Sequence, residues 1–275
     1  MNNFDGNLRI ILEKKNNRTT INEIYYDGVS KVSPTISLDN EKIPCYFLIH
    51  LGGGYLEGEV CDNYIELKDN CRSIITTQTP TIAYKCESGI SSKQFTTIKL
   101  GENSVVEYIL DNTILFKNSM FEQYTDIYMK ESSTFIYTDG ITSGWSPDGE
   151  KFKYKFMRMR NRVFIDNKIV LLDNLILKPN IQEMHEIGLM EGYTNYGTAI
   201  VIDRRINEKF VEELREEVEK LNLDIKFAIS IIEVNGFVIR VLGNFTQDIQ
   251  KSIYLCINHI RQKLFGSNKL NLRKY

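Results

Sequence analysis

A mainly β architecture, a many-stranded β-sandwich or helical barrel-like stack with a small C-terminal α+β portion, is what this sequence predicts. Three observations predict it. From residue 7 to about 198, apolar and polar side chains alternate with a period of two, the pattern of strands with one dry and one wet face. Turn-forming groups part these runs at fairly regular spacing: Asp27-Gly28, Asp69-Asn70, Ser88-Gly89, Gly101-Glu102-Asn103, Asp148-Gly149 and Asp166-Asn167. Beyond Thr198 the spacing becomes partly helical, in the order β-α-β-β-α. The expected division is an all-β body over 1–197 with an α+β portion over 198–275 packed on it.

Leu8, Ile10 and Leu12 alternate with Arg9 and Glu13 in a first strand, and residues 21–26 form a second. Residues 43–51 are nearly all apolar beyond Pro44, as in a strand buried on both faces. Gly52, Gly53 and Gly54 then mark a tight turn or a close approach of backbone. After them Tyr64, Glu66 and Lys68 alternate with Ile65 and Leu67, and the Thr- and Ile-rich run 73–83 makes a further strand. Phe95, Thr97 and Lys99 alternate with Thr96, Ile98 and Leu100; residues 120–129 and 133–137 continue the series. Phe152, Tyr154 and Phe156 alternate with Lys151, Lys153 and Lys155, an expected strand whose lysines guard a solvated edge.

In the last eighty or so residues, Asn207 can cap a helix that carries Phe210, Val211, Leu214, Val218 and Leu221 on one side. Asn235-Gly236, between the apolar runs 231–234 and 237–242, predicts a hairpin with a type I′ turn. A last helix opens at Thr246, carries Ile249, Ile253, Cys256, Ile257, Ile260 and Leu264, and stops near Gly266. The basic tail, 268–275, is expected to be loose unless a partner orders it. This C-terminal region with its tail is the expected partner surface.

The 275 residues, 42% hydrophobic and 25% charged, suffice for one large or two modest cores and exclude a disordered chain. A net charge of −2 gives no overall pull toward nucleic acid or an anionic membrane. The opening MNNFDGNLRIILEKKNN has no basic stretch followed by an apolar one, and no apolar run approaches the roughly 18 residues that span a bilayer. The expectation is a cytoplasmic protein with neither nucleic acid nor membrane as partner. Cys45, Cys61, Cys71, Cys86 and Cys256 are odd in number and include no C-x-x-C pair. They read as reduced thiols that fill core space, rather than as disulfides or a structural zinc site.

Several chemistries fail on their own motifs. Gly53 and Gly58 stand as in a phosphate-binding loop, but Glu59 and Val60 occupy the positions where that loop needs a lysine and a hydroxyl. Counting from Gly52, the third glycine position of the dinucleotide fingerprint holds Glu57. Neither a G-x-S-x-G elbow nor an H-E-x-x-H pair is present, and His50, His185 and His259 stand far apart in sequence, as packed or surface histidines do. The sequence therefore argues against an enzyme, and against stably bound cofactors. A free-standing carbohydrate-binding β-protein would explain the strands, but no aromatic platform for a sugar can be placed, and the lone Trp145 reads as turn packing or a partner contact.

Five stretches, in order, carry a resemblance: GGGYLEGE from Gly52, TTQTPTIAYK from Thr76, EYILDNTILF from Glu107, DGITSGWSPDGEKF from Asp139 and LLDNLIL from Leu171. Together they resemble the UreD family of urease accessory proteins, called UreH in some organisms, most clearly over residues 7–178. Where many relatives have a lysine and an arginine flanking the tyrosine of the second stretch, this chain has Ala83 and Lys85. The resemblance implies a mostly β fold with a small helical portion. It also implies a scaffold that joins urease apoprotein to UreF and to the GTPase UreG, with nickel in transit through an internal tunnel. Carboxylates suit such a conduit, because oxygen donors hold nickel weakly and an ion bound tightly at one site does not move on. Glu59, Asp62, Asp139 and Asp173, which lie within or beside those stretches, are the expected path residues. The alternative is a purely structural interaction scaffold without a nickel path.

Overall fold

The computed structural model describes residues 4–38 and 41–274. A hairpin opens the chain: β1 (Gly6–Lys15) and β2 (Arg18–Gly28) join across Asn16 and Asn17, both at positive φ. An antiparallel corner of β3 (Ser30–Val32), β4 (Ile36–Ser37) and β5 (Pro44–His50) follows. The chain then coils between two sheets. β6 (Val60–Leu67) enters the first, β7 (Arg72–Thr77) the second, and after the short β8 (Ile82–Ala83) the pattern repeats with β9 (Ser92–Leu100) and β10 (Val105–Ile109). The short β11 (Ile114–Leu115) leads to β12 (Met120–Met129) in the first sheet and β13 (Thr134–Ile141) in the second. The strands of successive coils pair in parallel.

β14 (Phe156–Ile165) and β15 (Lys168–Leu177) close the first sheet as a hairpin over Asp166 and Asn167. The C-terminal region contributes β16 (Asn195–Ile202), α1 (Glu208–Glu219), β17 (Ile225–Ile231), β18 (Gly236–Gly243) and α2 (Thr246–Phe265), the β-α-β-β-α order expected. Its strands extend the second sheet beyond β13. The first sheet runs β15-β14-β12-β9-β6-β1-β2 and the second β17-β18-β16-β13-β10-β7-β5-β3. The fold is mainly β, as predicted, a stacked solenoid-like coil of two facing sheets.

Three layers result, and they explain the two kinds of strand sequence. Ile65, Ile98, Ile127 and Val163 of the first sheet meet Tyr46, Ile75, Val106 and Phe135 of the second between the sheets. The other face of the second sheet, with Ile74, Ile136, Val201 and Ile239, packs on Val211 and Leu214 of α1 and Ile249, Ile253 and Ile257 of α2. Covered on both sides, β13 and β16 are buried at every residue. Covered on one side, β6 and β12 alternate without a break. Asn207 caps α1 by accepting from Phe210 N–H at 3.0 Å, and α2 ends at Gly266 with φ 60°. Among the described residues, no helix is long and apolar enough to cross a membrane.

Four local expectations are overturned. Residues 151–155 are not strand: Phe152 has φ 58°, and the backbone bonds of this segment run to loops, Phe152 N–H to Ser143 O and Lys155 N–H to Ser119 O. Its alternation survives because Phe152 and Tyr154 still enter a core. The run 73–83 divides into β7 and β8 around Pro80. Asn235 and Gly236 are not at positive φ, so the turn is not type I′; β17 ends at Ile231 and the loop covers 232–235. There a Cβ on residue 236 would lie 2.4 Å from Val201 O, which is why glycine stands at that place. The tail, finally, is ordered by the protein itself as far as Lys274: Leu270 and Leu272 are buried in the core beneath α2, and Lys274 Nζ lies 2.7 Å from Asp111 Oδ2, both side chains buried. Tyr275 lies outside the described residues.

Candidate functional site

The space between the sheets is not uniformly apolar. Strand register lines up one inward-facing residue from each of five strands of the first sheet: Asn63 of β6, Thr96 of β9, Thr125 of β12, Asn161 of β14 and Asp173 of β15. All five are buried. The next row begins with Cys61, Gln94 and Gln123 before turning apolar at Met159. This polar band lies between the large inter-sheet core and a smaller one built on Tyr55, Phe121, Met157 and Tyr154.

The second sheet supplies matching groups. Asp139 of β13, Thr198 of β16 and Arg240 of β18 are register neighbours. Asp139 accepts hydrogen bonds from the Tyr137 hydroxyl at 2.7 Å, from Gly140 N–H at 2.7 Å and from the Gln123 amide across the gap. Burial pushes its carboxyl up to about 6, against which those bonds pull down. Burial and the neighbouring Asp139 carboxylate raise the Tyr137 phenol well above its ordinary range. Further along, Arg240 donates to Asp173 at 2.7 Å. Since Asp173 is buried while the Arg240 side chain is 60% exposed, the band reaches solvent at this end.

At the other end stand the glycines. Gly52 and Gly53 have φ of 89° and 80°, and a Cβ on residue 54 would sit 2.7 Å from Ile82 O. The turn thus needs glycine for both reasons expected, conformation and close approach. It carries the chain from His50 at the end of β5 back to Glu59, just before β6, with His50 Nε2 at 2.7 Å from Glu59 Oε1. Glu59 also accepts from Leu56 N–H at 2.9 Å and, weakly, from the Cys61 thiol at 3.9 Å. Burial raises the Glu59 carboxyl, but the bonds from His50 and Leu56 outweigh it and leave the group below its ordinary range. Burial pushes the Cys61 thiol up to about 12. The Tyr55 ring packs on His50, with centroids 4.4 Å apart, and its hydroxyl donates to Gln94 at 3.1 Å, which joins this end to the band.

Of the four expected residues, the fold joins Glu59, Asp139 and Asp173 to one polar seam. It does not join Asp62, whose side chain shares the parity of Tyr64 and Glu66 on the outward face of β6. There burial alone raises its carboxyl. His50, Cys61, Gln123, Tyr137 and Arg240, which sequence reasoning did not single out as site residues, complete the seam. The first four of the five family-like stretches gather at one end of the sandwich: Tyr55 bridges to Ala83, β8 pairs with β11, Thr113 bridges to Ile141 and Phe116 to Trp145. Trp145 is half exposed and packs on Phe116 at 4.7 Å between ring centroids.

The comparisons with known proteins point one way. The family model described as UreD urease accessory protein matches residues 5–274. A urease accessory protein UreD of Streptococcus thermophilus is 39% identical over 271 residues, 98% of this chain and 97% of the relative. One from Ureaplasma urealyticum is 37% identical over 255 residues, 91% and 89% of the two chains. One from Staphylococcus aureus is 32% identical over 274 residues, 99% and 98%.

Proposed function

Because the chain belongs to the UreD urease accessory protein family, with a role in urease maturation, we propose that it joins urease apoprotein to UreF and UreG in the cytoplasm and passes nickel toward the urease metallocentre along its polar seam. The relatives are named accessory proteins, and the chain is read as a non-catalytic one. The observation that carries the reading is the seam itself. Buried polar side chains are destabilising unless they are hydrogen-bonded, so packing alone favours an apolar row where Asn63, Thr96, Thr125, Asn161 and Asp173 stand. Asn161 makes the point most sharply: it is fully buried, and neither atom of its amide has a hydrogen-bond partner among the described residues. A row of amides, hydroxyls and carboxylates fits an ion that is held weakly and handed on.

The path proposed runs through Glu59, Asp139 and Asp173; Asp62, on the outward face, is not part of it. The test is co-purification of the full chain with UreF, UreG and urease apoprotein, followed by measurement of nickel per urease active site. Asp139→Ala and Asp173→Ala are expected to keep the complex and lower the nickel content severalfold. A retained complex with unchanged nickel would leave the chain a structural scaffold only.

A further inference from the structure

The glycine turn brings together three different kinds of metal donor. An imidazole nitrogen of His50, a carboxylate oxygen of Glu59 and the sulfur of Cys61 all lie within 4.8 Å of one another, the one such group of three found among the described residues. We propose that His50, Glu59 and Cys61 form a binding site for a single divalent transition-metal ion of the nickel and zinc class, set at the mouth of the polar seam. That the ion is nickel in transit rests on the function proposed above; that the three residues bind such an ion does not.

The donor set selects the class of ion. Carboxylates and carbonyls alone suit magnesium or calcium, whereas imidazole joined by thiolate suits ions late in the first transition row. The geometry is close to what is needed. Metal–ligand bonds of about 2.0–2.3 Å in a tetrahedral arrangement place neighbouring donors roughly 3–4 Å apart. Here the nitrogen and oxygen are 2.7 Å apart and the oxygen and sulfur 3.9 Å. Side-chain shifts of about an ångström or less would close the site.

Position and surroundings agree with the chemistry. Glu59 and Cys61 are 8% and 1% exposed and stand two residues apart, Cys61 on the inward face of β6 and Glu59 just before it, where its carbonyl accepts from Lys93 N–H at 2.8 Å. His50 is half-buried and reaches them from the opposite sheet, and its Nδ1 is buried without a partner among the described residues. A cleft of about 60 Å³ lined by His50, Gly53, Asn63 and Gln94 adjoins the donor set on its His50 side. Three protein ligands leave a coordination position open, and an open position is how an ion enters and leaves. The cleft's polar walls, Asn63 and Gln94, are the first members of the seam. Cys45, Cys71, Cys86 and Cys256 are buried as well, but none belongs to such a group among the described residues.

Titration of the full-length chain with nickel(II), followed by calorimetry, and with cobalt(II), followed by absorption, tests the site. One ion per chain is expected, with a thiolate-to-cobalt charge-transfer band that Cys61→Ser abolishes. His50→Gln and Cys61→Ser should each weaken nickel binding at least tenfold, whereas His185→Ala, which removes a distant histidine, should not. Glu59→Gln keeps a hydrogen bond to His50 while removing the anionic ligand, so a weakened affinity in that variant reports ligation without a loss of packing volume. Absence of the cobalt–thiolate band in the wild type, or wild-type affinity and stoichiometry in His50→Gln and Cys61→Ser, overturns the site. The seam is judged separately by urease nickel content in the Asp139 and Asp173 variants, so the two readings can fail independently.

Discussion

Asp139 is a buried carboxylate held by a phenol, an amide and a backbone N–H rather than by a cation. Its folded-state value of about 6 lies above the 3.8 of a free carboxyl, so the native state keeps the proton longer than the unfolded chain does. Well below the unfolded value of 3.8 both states are protonated and the group is neutral in effect; as pH rises from there to about 6 and beyond, the buried charge lowers stability by roughly 1–3 kcal/mol. Asp139→Asn should therefore gain stability relative to wild type between pH 4 and pH 7. Denaturant unfolding at the two pH values checks this, and a difference that stays constant would refute it. How far the site could be read from sequence also shows here. Glu59, Asp139 and Asp173 could be picked as candidates because they sit in family-like stretches, and the face of Asp62 could have been read from its parity with Tyr64 and Glu66. The pairing of His50 with Glu59 was not legible, because it depends on where the glycine turn delivers the chain. Nor was that of Asp173 with Arg240, 67 residues away.

Between elements, one buried tie is ionic. Arg261 on α2 is 2% exposed and donates to Glu107 of β10, which is fully buried and also pairs with Arg72 of β7 at 2.9 Å. Arg261 further meets Glu41 at 3.0 Å and donates to Asn268 O at 2.8 Å. One guanidinium thus fixes the helix, the second sheet and the tail together. Breaking a buried pair on one side leaves an uncompensated charge, so Arg261→Ala should cost about 3–5 kcal/mol. Arg72→Ala, from a partly exposed position and with Arg261 still in place, should cost less. Replacing the pair together, Arg261→Met with Glu107→Leu, should recover only part of the loss, because Arg72 and Glu41 each lose a partner. Chemical denaturation of the three variants checks the order, and an Arg261→Ala protein as stable as Arg72→Ala would contradict it. The strands and helices themselves were legible, since period-2 and helical spacing report burial directly. What failed at residues 151–155 and 235–236 was the backbone: a core-facing alternation does not require a strand, and an Asn-Gly pair does not require positive φ where close packing already demands glycine.

At the scale of the whole molecule, the last residues lock onto the first half of the chain. Ser267 accepts from Arg72 at 2.8 Å, Asn258 on α2 holds Leu270 N–H at 2.7 Å, and Lys274 pairs with Asp111, which Thr77 also bonds at 3.1 Å. The sequence shows a basic tail of ordinary composition; that Asp111 and Glu41 wait for it across the fold is a long-range fact no local pattern carries. A coil of parallel strands gains its contacts late, since each strand pairs with one a full turn away, and such topologies fold slowly. The tail then acts as a final clasp. Ending the chain after Ser267 would strip Leu270 and Leu272 from the core, at about 1.5–3 kcal/mol each, and leave the Asp111 carboxylate buried without its ammonium. Against a total stability of about 5–15 kcal/mol, this loss should lower the thermal midpoint by on the order of 10 °C. Restoring the charge balance with Asp111→Asn in the truncated chain should recover part of it. A truncated protein that melts with the full-length one would show that the tail rests on the fold without supporting it.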